Sequence, residues 1–243
     1  MRLKKLLIPT LLLFPVLLST NQNSNTFEDP RDGQVYRYVT IGSQVWMAQN
    51  LNTAFFRNGD SILGVKTQKE WRKTGAAQKP AWCYYRGDSK YDNYGKLYNW
   101  YAVHDSRGLA PEGWHIPTDE EWKTLEKEIG MSEEFANSDA YNRGTNQGCK
   151  LASNKDLWKY NEWEDYAIVF DEQFDSTGFN AIPAGYRNGV DGISFSLGSW
   201  AYFWSSTPSS ENHAWYRRIG SKSHGIGRIH RSKTHGFSVR CVK

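Results

Sequence analysis

The stretch at residues 95–125, GKLYNWYAVHDSRGLAPEGWHIPTDEEWKTL, constrains the fold more than any other part of the chain. Leu97, Trp100 and Tyr101 recur at helical spacing and predict a first helix with an aromatic face. A Gly/Pro-rich connector follows and ends at Thr118, which is placed to cap a second helix. Glu121, three residues on, can reach back to the Thr118 backbone N–H and complete a capping box. Trp122, Leu125 and Ile129 then fall at i, i+3 and i+7, one buried stripe, and Gly130 is placed to stop the helix in a left-handed turn. The run holds no obvious catalytic constellation and reads as scaffold.

The N-terminus reads as a targeting segment. Arg2, Lys4 and Lys5 form a positive flank, and residues 6–18 are almost wholly apolar yet short for a bilayer span. Pro9 and Pro15 interrupt the run further. The expected signal peptide covers residues 1–22, with cleavage between Ser19 and Ser24 and no cysteine there to carry a lipid. Residues 23–30 are expected to be a flexible lead and residues 31–243 a single domain. The mature chain is therefore expected to lack a transmembrane anchor and to be secreted or held at the cell surface, with the periplasm as the other destination.

Removing the leader changes the charge argument. Of 30 Lys+Arg, the three in the leader fall away, leaving 27 against 26 Asp+Glu, a net charge near +1. That balance gives no case for a nucleic-acid partner. The distribution is uneven, because residues 212–243 carry eight Lys/Arg, four of the six histidines and no acid, whereas residues 119–175 are rich in Asp and Glu. Two neighbouring segments of complementary charge are the favoured reading over an anion-attracting face.

An aromatic content of 15% with 21 glycines suits short strands and ordered turns better than a helical bundle. Residues 35–41 and 44–47 read as a hairpin around Gly42-Ser43, a type II′ signal. Residues 69–73 fit one helical turn, 81–85 a strand and 132–136 a short helix. Trp158, Trp163, Tyr166 and Phe170 follow no clean period. Strand-like pieces come at 178–183, 185–187, 193–197, 202–207, 214–219 and 236–242. The expected class is α+β, with two main helices and several short antiparallel strands. Three cysteines occur in the mature chain. In an oxidising compartment Cys83 and Cys241 are the expected disulfide, leaving Cys149 over, and their spacing is far from that of a zinc site.

Several motifs lie in a recognisable order: DGQVYRYVTIGSQVWMAQNLNT at 32–53, AWCYY at 81–85, YGKLYNWYAV at 94–103, LAPEGWHIPTDEEWKTL at 109–125, GFNAIPAGYRN at 178–188, YFWSST at 202–207, AWYRRI at 214–219 and GFSVRC at 236–241. Together they resemble the Fibrobacter succinogenes major paralogous domain, a family of secreted bacterial proteins with no well-defined function. One departure is Ala110, where many members are expected to carry a cysteine. More loosely, the Gly-Trp-His-Ile-Pro-Thr element, acidic helix, Trp-Ser-Ser and Val-Arg-Cys are similar to the C-type-lectin-like superfold. That resemblance implies a fold shared by carbohydrate-binding lectins and formylglycine-generating enzymes, and function still has to be argued from a site.

Formylglycine-generating enzymes use a closely placed, copper-binding cysteine pair, and this chain's cysteines lie far apart in sequence. Glu120 and Glu121 are helix neighbours pointing in different directions. His115 reads as a hydrogen-bonded turn histidine, and Ser205-Ser206 lacks the Gly-x-Ser-x-Gly setting of a nucleophile. His213, His224, His230 and His235 match no metal motif. No catalytic residue, metal or cofactor is expected. The favoured function is an exported, non-enzymatic binding module for a polysaccharide, a cell-surface glycan or another surface ligand. Tyr186, Arg187 and Asn188, and Trp200 and Tyr202 with Glu211 and Asn212, mix aromatic faces with polar groups as sugar sites do. Tyr186, Trp200 and Asn212 are the least core-like of these. The alternatives are a structural or adhesive protein binding an envelope protein partner, and an oxidase of the formylglycine-generating type.

Overall fold

The computed structural model describes residues 25–160 and 167–243. The expected signal peptide, Trp163 and Tyr166 lie outside the described residues. The fold is mixed α+β, with few helices, all of them short: α1 (Gln68–Ala76), α2 (Trp100–Val103), α3 (Asp119–Glu128), α4 (Glu133–Asn137) and α5 (Gln147–Leu151). None of the described helices is long and apolar enough to cross a membrane. The strands form three sheets. One is the meander β1 (Thr26–Asp29), β2 (Gln34–Ile41) and β3 (Gln44–Met47), so half of the segment expected to be a flexible lead is a paired strand. Gly42, at φ +58°, begins the β2–β3 turn at the expected place.

The second sheet has the order β10 (Trp200–Pro208), β11 (His213–Gly220), β12 (Ser223–Ser232) and β7 (Ala140–Arg143). The third runs β4 (Leu63–Gly64), β5 (Ala81–Cys83), β6 (Leu97–Asn99), β13 (Gly236–Phe237), β8 (Tyr186–Arg187) and β9 (Ser194–Phe195). Its β4–β5 pair is parallel and the rest are antiparallel.

The expectation of two main helices needs correction. Residues 95–103 do not form one helix, because Leu97–Asn99 is a strand hydrogen-bonded on both sides, and only one turn of helix follows. All three strand residues are buried, and a fully buried strand shows no alternation to distinguish it from a helix. The second helix forms as expected. Thr118 Oγ1 accepts from the Glu121 N–H at 3.2 Å, the Thr118 N–H donates to Glu121 Oε2 at 2.8 Å, and Gly130 has φ +97°.

Strand β10 is buried on both faces and divides the interior. Tyr202 and Trp204 point into one core with Tyr98, Tyr216 and Phe237, while Ala201 and Phe203 enter another with Trp46, Trp122 and Phe179. That alternation follows the two-residue period of a strand. The final residues run along β3. Val242 exchanges two 2.9 Å hydrogen bonds with His115, and Lys243 pairs with Val45 at 3.0 and 3.1 Å.

The charged segments meet inside the molecule. Arg217 of β11 and Arg228 of β12 hold Asp119 at 2.6 and 2.7 Å, and Arg143 reaches Glu126 at 2.8 Å. Helix α3 is thereby fixed to the four-stranded sheet by ion pairs that are almost entirely buried.

The expected Cys83–Cys241 disulfide is absent, and all three cysteines are buried thiols. Strand β6 lies between β5, which carries Cys83, and β13, after which the chain turns toward β3. There the Cys241 carbonyl accepts from the Met47 N–H at 2.9 Å. The two thiols thus belong to separate apolar clusters.

Candidate functional site

A cleft of about 720 Å³ opens on the surface of the described residues. Its walls come from segments distant in sequence. Strand β2 contributes Gln34 and Arg37, the chain after β3 contributes Asn52, and the 3₁₀ turn Ser89–Tyr94 contributes Asp92 and Asn93. Asn154, Asp175 and Asn180 complete the wall, with φ values of 54°, 61° and 59°. Asn and Asp tolerate this left-handed conformation better than other side-chain-bearing residues, and it bends loops sharply.

Arg240 lies at the buried end of the cleft. It is fully buried, with Nε donating to Asn50 Oδ1 at 2.8 Å, Nη1 to the Met47 carbonyl at 3.0 Å and to that of Phe179, and Nη2 to that of Asn180. Its guanidinium lies 4.7 Å from the Phe179 ring centroid. Burial first, and Arg37 second, push its pKa down to about 9. Arg240 thus ties β3 to the 179–180 loop and stiffens the cleft. Burial also raises the Asp175 carboxyl above its ordinary range.

Several groups in the lining are left over for a ligand. Among the described residues, the side chains of Gln34, Arg37, Asp92, Asn93, Asn154 and Asp175 form no hydrogen bond within the chain. Amides both donate and accept, carboxylates accept and guanidinium donates, so the set suits a ligand rich in hydroxyls.

None of the seven residues singled out from the sequence lines this cleft. Arg187 is buried, donating to Ser194 Oγ at 3.4 Å and to the Lys66 carbonyl at 3.3 Å, and Asn188 Oδ1 accepts the Val190 N–H at 2.7 Å within a turn. Tyr202 is core, and Tyr186 packs on it at 5.0 Å. Trp200 sits opposite Gly220 at one end of the β10–β11 hairpin, whereas Glu211 and Asn212 form the loop at the other end. At about 3.3 Å per residue they are roughly 25 Å apart. Trp200 does border a smaller hollow of about 450 Å³ with Tyr160 and Lys159, but Arg218 lies over its ring at 4.2 Å. Trp204 is fully buried, and Trp215 carries the Arg228 guanidinium 3.8 Å from its ring centroid.

His115 Nε2 lies 2.5 Å from Glu121 Oε1. Burial would raise the Glu121 carboxyl, but hydrogen bonds from Thr118 and His115 outweigh it and the net shift is downward. Both residues therefore serve the helix cap. Elsewhere Cys149, Asp171 and His224 converge, with ligand atoms within 4.8 Å of one another, a grouping that their sequence separation hides.

The family model described as the Fibrobacter succinogenes major domain matches residues 39–243. No curated protein matches the chain, and no solved structure does.

Proposed function

The chain belongs to the Fibrobacter succinogenes major domain family, and from that premise we propose that it is an exported, non-enzymatic module whose cleft binds a glycan. One observation carries the reading: a cleft of about 720 Å³ walled by amide, carboxylate and guanidinium side chains that the protein's own hydrogen bonds leave unused. Sugar hydroxyls donate and accept at once, and such mixed groups match them. The basic-then-apolar leader supports export, and the looser likeness to C-type-lectin-like domains agrees with a binding role.

The test is a glycan array with the mature protein, followed by titration of any hit against Asn154→Gly. Glycine accepts the left-handed backbone at 154, so only the side chain is lost. Binding weakened about tenfold, with Trp200→Ala unchanged, is the expected outcome. Equal binding by wild type and Asn154→Gly, together with a loss in Trp200→Ala, would move the site to the smaller hollow.

A second reading has its own observation. Val190, Ile193 and Phe195 are exposed on or beside β9, an edge strand of the six-stranded sheet. Apolar side chains beside an unpaired edge favour an envelope protein partner. Silence across the array, with an envelope protein retained by wild type and lost by Phe195→Lys, would favour that reading.

A further inference from the structure

We infer that Cys149, Asp171 and His224 form a binding site for zinc or a divalent ion of similar preference, separate from the residues that line the cleft. Three elements bring them together. Cys149 lies on α5, which packs against β12 so closely that a Cβ on Gly148 would lie 2.5 Å from the Gly225 carbonyl oxygen and 2.8 Å from that of His224. Only glycine permits this approach, and it sets Cys149 Sγ 3.9 Å from the His224 carbonyl oxygen. Asp171 follows the 3₁₀ turn Ile168–Phe170, which is pinned to the β11–β12 turn by the Ile168 N–H donating to the Ser221 carbonyl at 3.0 Å.

The donor atoms are arranged for a shared ion. Asp171 Oδ1 accepts the Gln173 N–H at 2.8 Å, while Oδ2 faces His224 Nδ1 at 3.3 Å. The sulfur, the imidazole nitrogen and a carboxylate oxygen all lie within 4.8 Å of one another, and the 3.3 Å between Asp171 and His224 is that of two ligands on one tetrahedral ion. A thiolate with an imidazole and a carboxylate is a donor set that suits zinc. The three ligands found among the described residues are the number a catalytic-type zinc site takes from protein, with the fourth from water. The side chains of His224 and Asp171 are 34% and 15% exposed, which leaves a route of entry, while Cys149 seals the inner side.

A reading as a cysteine nucleophile fits less well. The Cys149 side chain is fully buried, so no substrate can approach its sulfur along an attack line, whereas a small ion can enter past Asp171 and His224. Coordination instead replaces the thiol proton, which passes to solvent as the metal–sulfur bond forms, with no change of oxidation state. The bound ion would also hold the loop that leads from Asp171 to Asp175, a residue of the cleft wall whose N–H donates to the Cys149 carbonyl at 3.2 Å.

The experiment uses the metal alone on the purified, metal-stripped mature chain. Cobalt titration should give a near-ultraviolet thiolate-to-cobalt absorption band that saturates at one ion per chain, and zinc should displace it and raise the melting temperature. Cys149→Ser should abolish the band, Cys83→Ser should keep it, and His224→Ala should weaken binding by at least about tenfold. Absence of the band in wild type, or its survival in Cys149→Ser, would overturn the site. Should Cys149→Ser fail to fold, His224→Ala and Asp171→Asn carry the decision, since both side chains reach solvent. Unchanged cobalt affinity in that pair would likewise overturn it.

Discussion

Arg217 Nη1 lies 2.6 Å from Asp119 Oδ1, and neither side chain is more than 6% exposed. The same guanidinium reaches Glu126 through Nε at 2.5 Å. Two segments of opposite charge, far apart in sequence, thus meet in the interior rather than across a surface. Removing Arg217 takes one guanidinium from each carboxylate and leaves their buried charge only partly compensated, by Arg228 at Asp119 and by Arg143 at Glu126. Arg217→Met is expected to cost about 3 kcal/mol, the low end for a broken buried pair because each carboxylate keeps one guanidinium, read as a lowered urea midpoint at unchanged slope. A loss below about 1 kcal/mol would mean that the pair behaves like a solvated one.

Acid should destabilise the protein in two stages. His235 is buried, and burial first, then Arg231, push its pKa from 6.5 down to about 4. The unfolded chain therefore takes up that proton first, and stability falls as pH drops from about 6.5 to about 4. For Asp119 burial acts upward, but Arg228 and Arg217 outweigh it and hold the carboxyl below its ordinary range. Its contribution is present above about pH 3.9 and is lost as pH falls through the lower folded value. Unfolding free energies measured from pH 7 to 3 should show both stages, with the first one flattened in His235→Gln.

Lys96 predicts the opposite limb. Its ammonium donates to Asn52 Oδ1 at 2.9 Å and lies 4.6 Å from the Trp82 ring centroid, yet burial lowers its pKa to about 8. Between about pH 8 and the ordinary lysine value near 10.5 the unfolded chain binds more protons at this site. Lys96 therefore contributes a rising slope of stability with pH, against the falling slope of the three thiols that burial pushes up. Lys96→Met should remove that rising contribution; an identical slope in the variant would exclude this lysine as its source.

Thr118→Ala should cost about 1 kcal/mol through the lost cap of α3. Glycan binding should be unaffected, since Thr118 is absent from the cleft lining. An unchanged melting temperature with lost binding would assign Thr118 to recognition instead.

Local signals were the legible ones. The cap at Thr118, the stripe of Trp122, Leu125 and Ile129, and the Gly42-Ser43 turn all stand where residue chemistry puts them. A second capping box, Thr67 with Glu70, starts α1 and carries the same Thr-x-x-Glu pattern, though only one turn of helix was expected there. Strand β12 went unread because SHGIGRIHRS looks like a charged, glycine-broken surface. Its Arg228 is buried only because Asp119 meets it, a fact that no local window contains. The cleft was illegible for the same reason: its wall is assembled from strand β2 at 34–37 and from segments at 48–52, 92–95, 153–157 and 175–182, which no local window brings together. Aromatic residues drew attention to 186–215, where most of the rings turned out to hold sheets together.

The paired run of Val242 and Lys243 against Val45, Trp46 and His115 bears on the order in which the molecule can be made. Strand β3 pairs with β2 on one side and with residues 241–243 on the other, His115 pairs with Val242, and Val239, Cys241 and Val242 fill both cores. A growing chain therefore cannot complete either core while the late half is still being synthesised. Contacts this distant in sequence make closure slow, and the open side of β3 stays unsealed until residues 239–243 have been made.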